Sequence, residues 1–425
     1  MKSPNSNSRP SEATPLPDIK PATQIASLDR KRLEGIDASF PLGRVAPIVG
    51  MSPSFIRKVC GSKQELSVQD VLCLLDQDCY KETFIPRSMT IDYLMESAHS
   101  KQSAHQIALP PDYSLIQGNA LDIISQLPQN SVQTVVTSTP YWALRIYKDS
   151  QFVSWADGEN CPFGHEQTPE GFVRHTLEIL HGLYPLLTES GSVWWNIMDT
   201  FNTRTQIRGN AVEALRAMQG KDKKSWGDHE CRRYSAGHSY LKDGEQCMIP
   251  SMIAERASRI GYYVKSVITW AKTSSLPEPQ ETRVSRNLEY VIHFAKIRGP
   301  VFNKDAYRQL PAALGGRNNG AETDKLSDVW TLPTSSGRDG HGAQFPIALP
   351  GRCIALGSNA GDYVLDPFVG SGNTGVAAKA LGRRFIGIDV SEEYLALAKK
   401  RISSSELADT ETMPIAPQSK QGTLL

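Results

Sequence analysis

The sequence predicts an α/β fold built on a mostly parallel sheet, and three observations carry that expectation. From about residue 111 to residue 402, short apolar runs rich in β-branched residues alternate with helical patterns. The run Val132 to Val136 ends in a turn, Thr137-Ser138-Thr139-Pro140-Tyr141-Trp142. The run Val364 to Asp366 opens into a glycine loop, Gly370-Ser371-Gly372. Alternation of this kind buries a parallel sheet between helices, and both turns fall at strand C-termini, where open α/β sheets bind ligands.

A chain of 425 residues with 40% hydrophobic content can bury a substantial core without staples. The seven cysteines include no C-x-x-C pair, which fits neither a disulfide framework nor a zinc finger and points to a reducing cytoplasm. Cys161 and His165, or Cys231, His238 and Cys247, match no standard metal-ligand spacing, so no metal is expected. The start, Met1-Lys2-Ser3-Pro4-Asn5-Ser6, is polar, and no run of about 18 apolar residues occurs. The expectation is a soluble, cytoplasmic protein with no membrane partner. A net charge of +1 neither demands nor forbids nucleic acid, because binding depends on clustering.

Taken in order, residues 1–32 are rich in Ser, Pro and Asn and read as a disordered tail. Residues 33–108 read as a small helical accessory region, with Val68, Val71, Leu72, Leu74 and Leu75 at helical spacing. Within it, Ala46, Gly50 and Ile56 have the spacing of a helix-turn-helix, although Pro47 sits badly in the first helix. A helical cap on the following domain is the alternative. Residues 109–402 form the main domain. Strands are expected at Tyr113 to Gln117, Val132 to Thr137, Ser192 to Ile197, Val264 to Trp270, Leu288 to Ala295, Asp362 to Asp366 and Phe385 to Asp389. Helices are expected at Leu121 to Leu127, Pro169 to Leu187, Met252 to Ile260 and Val376 to Leu381.

Residues 201–250 lose periodicity, and their basic residues, among them Arg204, Arg208, Lys221, Lys223, Lys224, Arg232 and Arg233, outnumber the acidic ones. With aromatics interleaved, this fits either a loop that meets a polyanion or a solvated insertion. Residues 403–425 read as a second disordered tail.

The glycine loop follows Asp366-Pro367-Phe368-Val369, and Asp389 ends the next strand 23 residues after Asp366, where a carboxylate can hold two ribose hydroxyls. The loop Gly370-Ser371-Gly372-Asn373-Thr374-Gly375 has the glycine spacing of dinucleotide enzymes but follows Asp-Pro-Phe, and it lacks the lysine of a phosphate loop.

Val364 to Thr374, followed by Gly382-Arg383-Arg384-Phe385-Ile386-Gly387-Ile388-Asp389, resembles the S-adenosylmethionine motif of the DNA amino-methyltransferases, and Thr137 to Trp142 resembles their catalytic motif. Further matches are Gly164 to Glu170, Trp194 to Asp199, Ile268 to Lys272 with Pro277-Glu278, and His341 to Pro346. The catalytic motif precedes the cofactor motif, which is the β-class order, and its serine is typical of the cytosine-N4 branch. The resemblance implies a Rossmann-like S-adenosylmethionine-dependent methyltransferase fold, circularly permuted so that the catalytic half comes first. It implies base flipping in double-stranded DNA, with residues 201–250 as target-recognition insert, and a restriction-modification setting with a possible cognate endonuclease. The chain would be a monomer or homodimer.

The resemblance also assigns residues. Ser138, Thr139, Pro140 and Tyr141 would be catalytic. Asp366, Pro367, Phe368, Gly370, Gly372, Asp389, Phe345, Pro346 and, more weakly, Asn119 would bind cofactor. Trp142 and the basic residues of the insert would face DNA. The exocyclic amine is a poor nucleophile because its lone pair is delocalised into the ring. Acceptors on Ser138 Oγ and the Thr139 carbonyl would favour a more tetrahedral nitrogen. Neither is a strong base, so the proton should leave after methyl transfer. Flipping costs a few kcal/mol, of which Tyr141 stacking recovers ~1–3 kcal/mol. Thr139 stands where the family has proline, which frees Ser138 from the pre-proline restriction, and Asn373 stands where threonine is common. Adenine-N6 transfer and a non-catalytic DNA-binding protein are the competing readings.

Overall fold

The computed structural model describes residues 35–99, 107–142, 144, 149–202, 241–242, 244–272, 281–318, 322, 325–334 and 345–404. The expected N-terminal tail, all but the first two residues of the C-terminal one, the interior of the insert with its seven named basic residues, and His341 lie outside the described residues.

The accessory region starts with a strand, β1 (Ser39–Pro41), that pairs antiparallel with β2 (Glu65–Ser67). Between them lie helices α1 (Leu42–Val49) and α2 (Pro53–Cys60), joined at Gly50, whose left-handed φ of 67° lets its N–H reach the Ala46 carbonyl. Pro47 is accommodated inside α1. It forfeits one helical hydrogen bond, while Leu42, Val45, Ala46, Ile48 and Val49 are buried. Helix α3 (Val68–Leu75) buries all five residues singled out by their spacing, and its first turn is closed by a Ser67–Asp70 capping box. After α4 (Thr90–His99) the chain enters the main domain. The accessory region packs on that domain through Phe84 against His181, ring centroids 4.9 Å apart, and Gly50 against Arg259.

The main domain supplies β3 (Tyr113–Gln117), α5 (Ala120–Gln126), β4 (Val132–Ser138), the short pair β5 (Val153–Ser154) and β6 (Asn160–Cys161), α6 (Pro169–Leu183) and β7 (Leu187–Ile197). There follow α7 (Ile249–Arg259), β8 (Tyr263–Lys272), β9 (Leu288–Ala295), α8 (Lys304–Gln309), β10 (Val329–Leu332), α9 (Ala348–Gly357), β11 (Tyr363–Asp366), α10 (Asn373–Ala380), β12 (Arg384–Asp389) and α11 (Glu392–Ser404). Eight strands form one sheet in the order β10-β8-β9-β7-β4-β11-β12-β3, parallel throughout except for β9, which runs against both neighbours.

Helix α6 ends at Leu183, four residues before the expected Leu187, which belongs to β7. Pro185 explains the correction: its nitrogen has no hydrogen to donate to the preceding turn, so the helix stops before it although Tyr184 still has helical geometry. The other end of α6 follows its local signals, with Thr168 accepting from Gly171 N–H, Pro169 in the first turn and Glu170 near the positive pole.

Chain direction decides where the site forms. From β11 the chain crosses through α10 to β12 on one side, whereas from β4 it crosses to β7 on the other. Adjacent β4 and β11 therefore diverge at their C-terminal ends, which opens a crevice between them. Because β9 is reversed, its first residues share that edge with the last residues of β8 and β7, as the Trp270–Glu289 and Ile197–Tyr290 register shows.

Candidate active site

The crevice is tied across its floor by Asp366, the last residue of β11. Thr137, on β4, donates its hydroxyl to one carboxylate oxygen at 2.7 Å, and Phe368 N–H reaches the same oxygen at 3.0 Å. Thr374, in α10, donates to the other oxygen at 2.5 Å. Burial raises the Asp366 carboxyl pKa to about 6 despite these donors. Asp366 thus joins the strand carrying the catalytic motif to the loop carrying the glycines. The resemblance implies that Asp366 touches the cofactor; here both its oxygens accept from protein donors.

Glycines in the loop do different jobs. Gly370 has φ 49°, and among the described residues nothing lies within 4 Å of a Cβ added to it, which leaves its surface open to a ligand there. A Cβ on Gly372, at φ 88°, would come within 2.8 Å of Ala398 Cβ, so glycine there lets the loop lie against α11. Asp389, at the end of β12, accepts from Gly370 N–H at 2.9 Å and Ser391 N–H at 3.0 Å, one per oxygen. With the Val390 N–H also acting on the carboxylate, lone-pair capacity is left for a ribose hydroxyl. Burial raises its pKa. The open face at Gly370 beside this oriented carboxylate fits the ribose side of S-adenosylmethionine.

Asn373 helps fix the loop. Its amide donates to the Phe345 carbonyl at 2.6 Å and its oxygen accepts from Arg401 of α11, which also reaches the Ser371 carbonyl and hydroxyl at 2.9 and 2.8 Å. A threonine could not span these partners, which gives the departure from the usual residue a physical reason. Pro346 and Pro367 are buried; Phe345 and Phe368 are partly exposed. Phe368 stacks on Phe163 with centroids 5.3 Å apart. Asn119 instead caps α5, accepting from Asp122 N–H at 3.0 Å and donating to the Asp122 carboxylate. Each end of its amide thus has a protein partner, with one lone pair and one N–H hydrogen left over for a ligand.

On the other side of the crevice, Ser138 and Tyr141 are partly exposed. The Ser138 and Tyr141 hydroxyls lie 3.4 Å apart. The Tyr141 hydroxyl faces Asn196 Oδ1 at 3.0 Å and donates to Glu289, whose carboxylate is paired at 3.1 Å with Lys272. Asn196 is held by its own amide, which donates to the Tyr290 carbonyl at 3.1 Å. Thr139 is buried and its hydroxyl finds no hydrogen-bond partner among the described residues. Sequence reasoning missed Glu289 and gave Asn196 and Lys272 no role. The one available signal was the occurrence of Asn196 and Lys272 in matching motifs, and nothing in sequence reveals that β9 runs backwards.

Trp142 is corrected from a DNA contact to a core residue. It is 2% exposed, and its indole N–H donates to the Glu166 carbonyl at 3.0 Å. Glu166 also accepts from Gly164 N–H at 3.1 Å, and a Cβ on Gly164 would meet Pro140 at 3.2 Å, so this loop braces the catalytic motif from behind. His175 holds the brace. Its ring nitrogens lie 3.0 Å from Glu166 and 3.2 Å from Asp157, and it stacks on Trp155 at 4.1 Å. Burial alone would lower its pKa, but hydrogen bonds and charges from Asp157 and Glu166 outweigh that and raise it to about 9. Donor atoms of Glu159, Cys161 and His175 lie within 4.8 Å of one another. Both ring nitrogens of His175 already face a carboxylate, Glu166 on one side and Asp157 on the other, so this cluster reads as an ion-pair knot.

The insert emerges beside this site. Just past β7, Asp199 accepts from Gln246 at 2.7 Å, Met248 N–H at 3.0 Å and Ile249 N–H at 3.0 Å, and Asn202 N–H reaches the Glu245 carbonyl at 2.8 Å, so the insert's two ends are held together.

The sheet order, the glycine loop and the terminal Asp389 define a Rossmann-like methyltransferase with its catalytic strand ahead of its cofactor strand. Residues 132–400 match the DNA methylase family whose members modify N6 or N4 amines, and the chain belongs to that family. Its cofactor is S-adenosylmethionine. The Type II methyltransferase M.XycI of Xanthomonas campestris pv. cyanopsidis is 32% identical over 291 residues, covering 68% of this chain and 87% of the relative. M.Cfr9I of Citrobacter freundii is 30% identical over 303 residues, covering 71% and 91%. Among solved structures, the PvuII DNA methyltransferase (cytosine-N4-specific) is 18% identical, with TM-score 0.48 and coverage of 69% and 87%. Among the described residues no helix is long and apolar enough to cross a membrane.

Proposed function

We propose that this DNA methylase transfers its methyl group to the N4 amine of a cytosine flipped out of double-stranded DNA. The observation that carries the reading is Ser138: a partly exposed hydroxyl at the end of β4, in the crevice that the cofactor loop also lines. The cofactor supplies an electrophilic sulfonium methyl. The chain supplies orientation. Asp389 and the open face at Gly370 hold the ribose end, with Phe345, Pro346 and Phe368 toward the methionine end. Ser138 Oγ and the Thr139 carbonyl accept from the target amine and make its lone pair available; these are interactions of most value in the transition state. Tyr141 contributes a ring for the flipped base to stack on.

The domain boundaries we propose are an accessory region at 33–108 and a methyltransferase domain at 109–402, with 201–250 as the target-recognition insert. The insert's roots at Asp199 and Asn202, just past the β7 end that carries Asn196, support this reading. Arg204, Arg208, Lys221, Lys223, Lys224, Arg232 and Arg233 are its proposed DNA contacts. Since the curated relatives are Type II methyltransferases, a restriction-modification setting with a companion endonuclease belongs to the same proposal. The test is nucleoside analysis of DNA methylated by the purified chain. N4-methylcytosine is expected, and N6-methyladenine alone would move the target to adenine.

A further inference from the structure

We infer that Glu289 is the terminal proton acceptor of the methylation reaction, reached from the target amine through Ser138 and Tyr141; this rests on the proposed function of the site. Once the amine nitrogen has gained a methyl group it carries a positive charge, and one N–H proton must leave. Ser138 is a weak base and sits in a partly closed crevice. Its hydroxyl, however, lies 3.4 Å from that of Tyr141, which donates directly to the Glu289 carboxylate. Among the described residues Glu289 is the one carboxylate in this set of contacts, with a serine, a tyrosine, the amide of Asn196 and the ammonium of Lys272.

The transfer balances along that chain. The amine N–H bond breaks with its electron pair left on nitrogen, giving a neutral secondary amine. Its proton goes to Ser138 Oγ as the serine proton goes to Tyr141 Oη and the tyrosine proton to Glu289. The serine and tyrosine end as they began, and Glu289 ends as a neutral acid. Lys272, 3.1 Å from Glu289, stays protonated throughout. The Glu289 side chain is 12% exposed, which leaves a route for the proton to reach water afterwards. The 3.4 Å contact is long for a hydroxyl pair and is the one that must tighten when the base enters. The same carboxylate opposes the positive charge developing on the amine during methyl transfer, so its loss should register in the chemical step and not only in release of the product.

Three locations in the fold converge here. Tyr141 follows β4, Glu289 is the second residue of β9, and Lys272 ends β8. Reversal of β9 is what brings Glu289 to the active-site edge. A β9 parallel to its neighbours would put that residue at the opposite edge of the sheet.

The experiment compares the full chain with Glu289→Gln, Tyr141→Phe and the double variant by single-turnover transfer of labelled methyl groups to DNA, with cofactor affinity measured alongside. Glu289→Gln keeps an acceptor oxygen but removes the basicity. Tyr141→Phe leaves the Glu289–Lys272 pair intact and tests the relay even if the glutamine variant folds poorly. Each single variant should lose roughly 10²–10⁴-fold in single-turnover rate, with cofactor affinity within about twofold of the parent. The double variant should be no slower than the worse single, because both interrupt one path. Single-variant rates within twofold of the parent would overturn the inference while leaving the proposed function in place, and so would losses that multiply in the double variant. A parent chain that transfers no methyl group to DNA would remove both.

Discussion

The two walls of the crevice are built differently. On the cofactor side, the polar groups are already engaged with the protein: Asp366 by Thr137, Thr374 and Phe368, Asp389 by Gly370 and Ser391, Asn373 by Phe345 and Arg401. On the target side, the Ser138 hydroxyl has a long contact to Tyr141 and the buried Thr139 hydroxyl has no partner among the described residues. A cofactor site can be preformed because the same molecule returns on every cycle. The target side has to admit a base arriving from duplex DNA, and hydroxyls that are not saturated beforehand can bond to it.

Asp366→Ala should strike the preformed wall hardest. It strands the Thr137 and Thr374 hydroxyls and the Phe368 N–H in a buried place, and about 3 kcal/mol of unfolding free energy should be lost. Urea denaturation reads this directly. Asp366→Asn keeps an acceptor for Thr137 and Phe368 and should cost less than half as much. Equal loss in the two variants would mean that charge, and not the hydrogen bonds, ties the walls together.

A comparable effect is expected from the brace behind the target wall. His175 has its pKa raised from 6.5 to about 9. A group whose folded-state pKa lies above its unfolded value adds stability that is complete below the unfolded pKa and disappears as pH rises through the folded one. His175 should therefore contribute about 3 kcal/mol near pH 6, lost between pH 6.5 and pH 9. The pH dependence of denaturation over that window, compared with His175→Gln, checks the sign: the variant should show a flatter curve.

The smallest effect belongs to Thr139. Thr139→Val keeps the shape but removes a buried hydroxyl that has no partner in the described structure, so it should be neutral or stabilise by about 1 kcal/mol. A loss of that size or more on thermal unfolding would show that the hydroxyl is used.

Both motifs were legible in sequence because each joins a strand to a turn, where residue types are tightly constrained. The positions of Ser138, Asp366, Gly370 and Asp389 at one edge of the sheet follow from that. What escaped is non-local or without pattern. Helix α9 is buried at every position, with Pro350 and Gly351 inside it, so it shows no amphipathic period. The four residues of β10 are too few to read. Trp142 looks like a surface aromatic until Glu166, 24 residues on, is seen to accept from its indole. Glu289 becomes visible only once the reversal of β9 is known.

The division between a preformed cofactor wall and a responsive target wall is tested most directly by Ser138→Ala, with cofactor affinity by calorimetry and single-turnover methyl transfer to DNA measured on the same preparation. Removing an oriented acceptor of this type is expected to slow transfer roughly 10²–10³-fold, with cofactor affinity within about twofold of the parent. A variant as fast as the parent, or one that loses cofactor affinity in step with rate, would contradict the assignment of Ser138 to the target side.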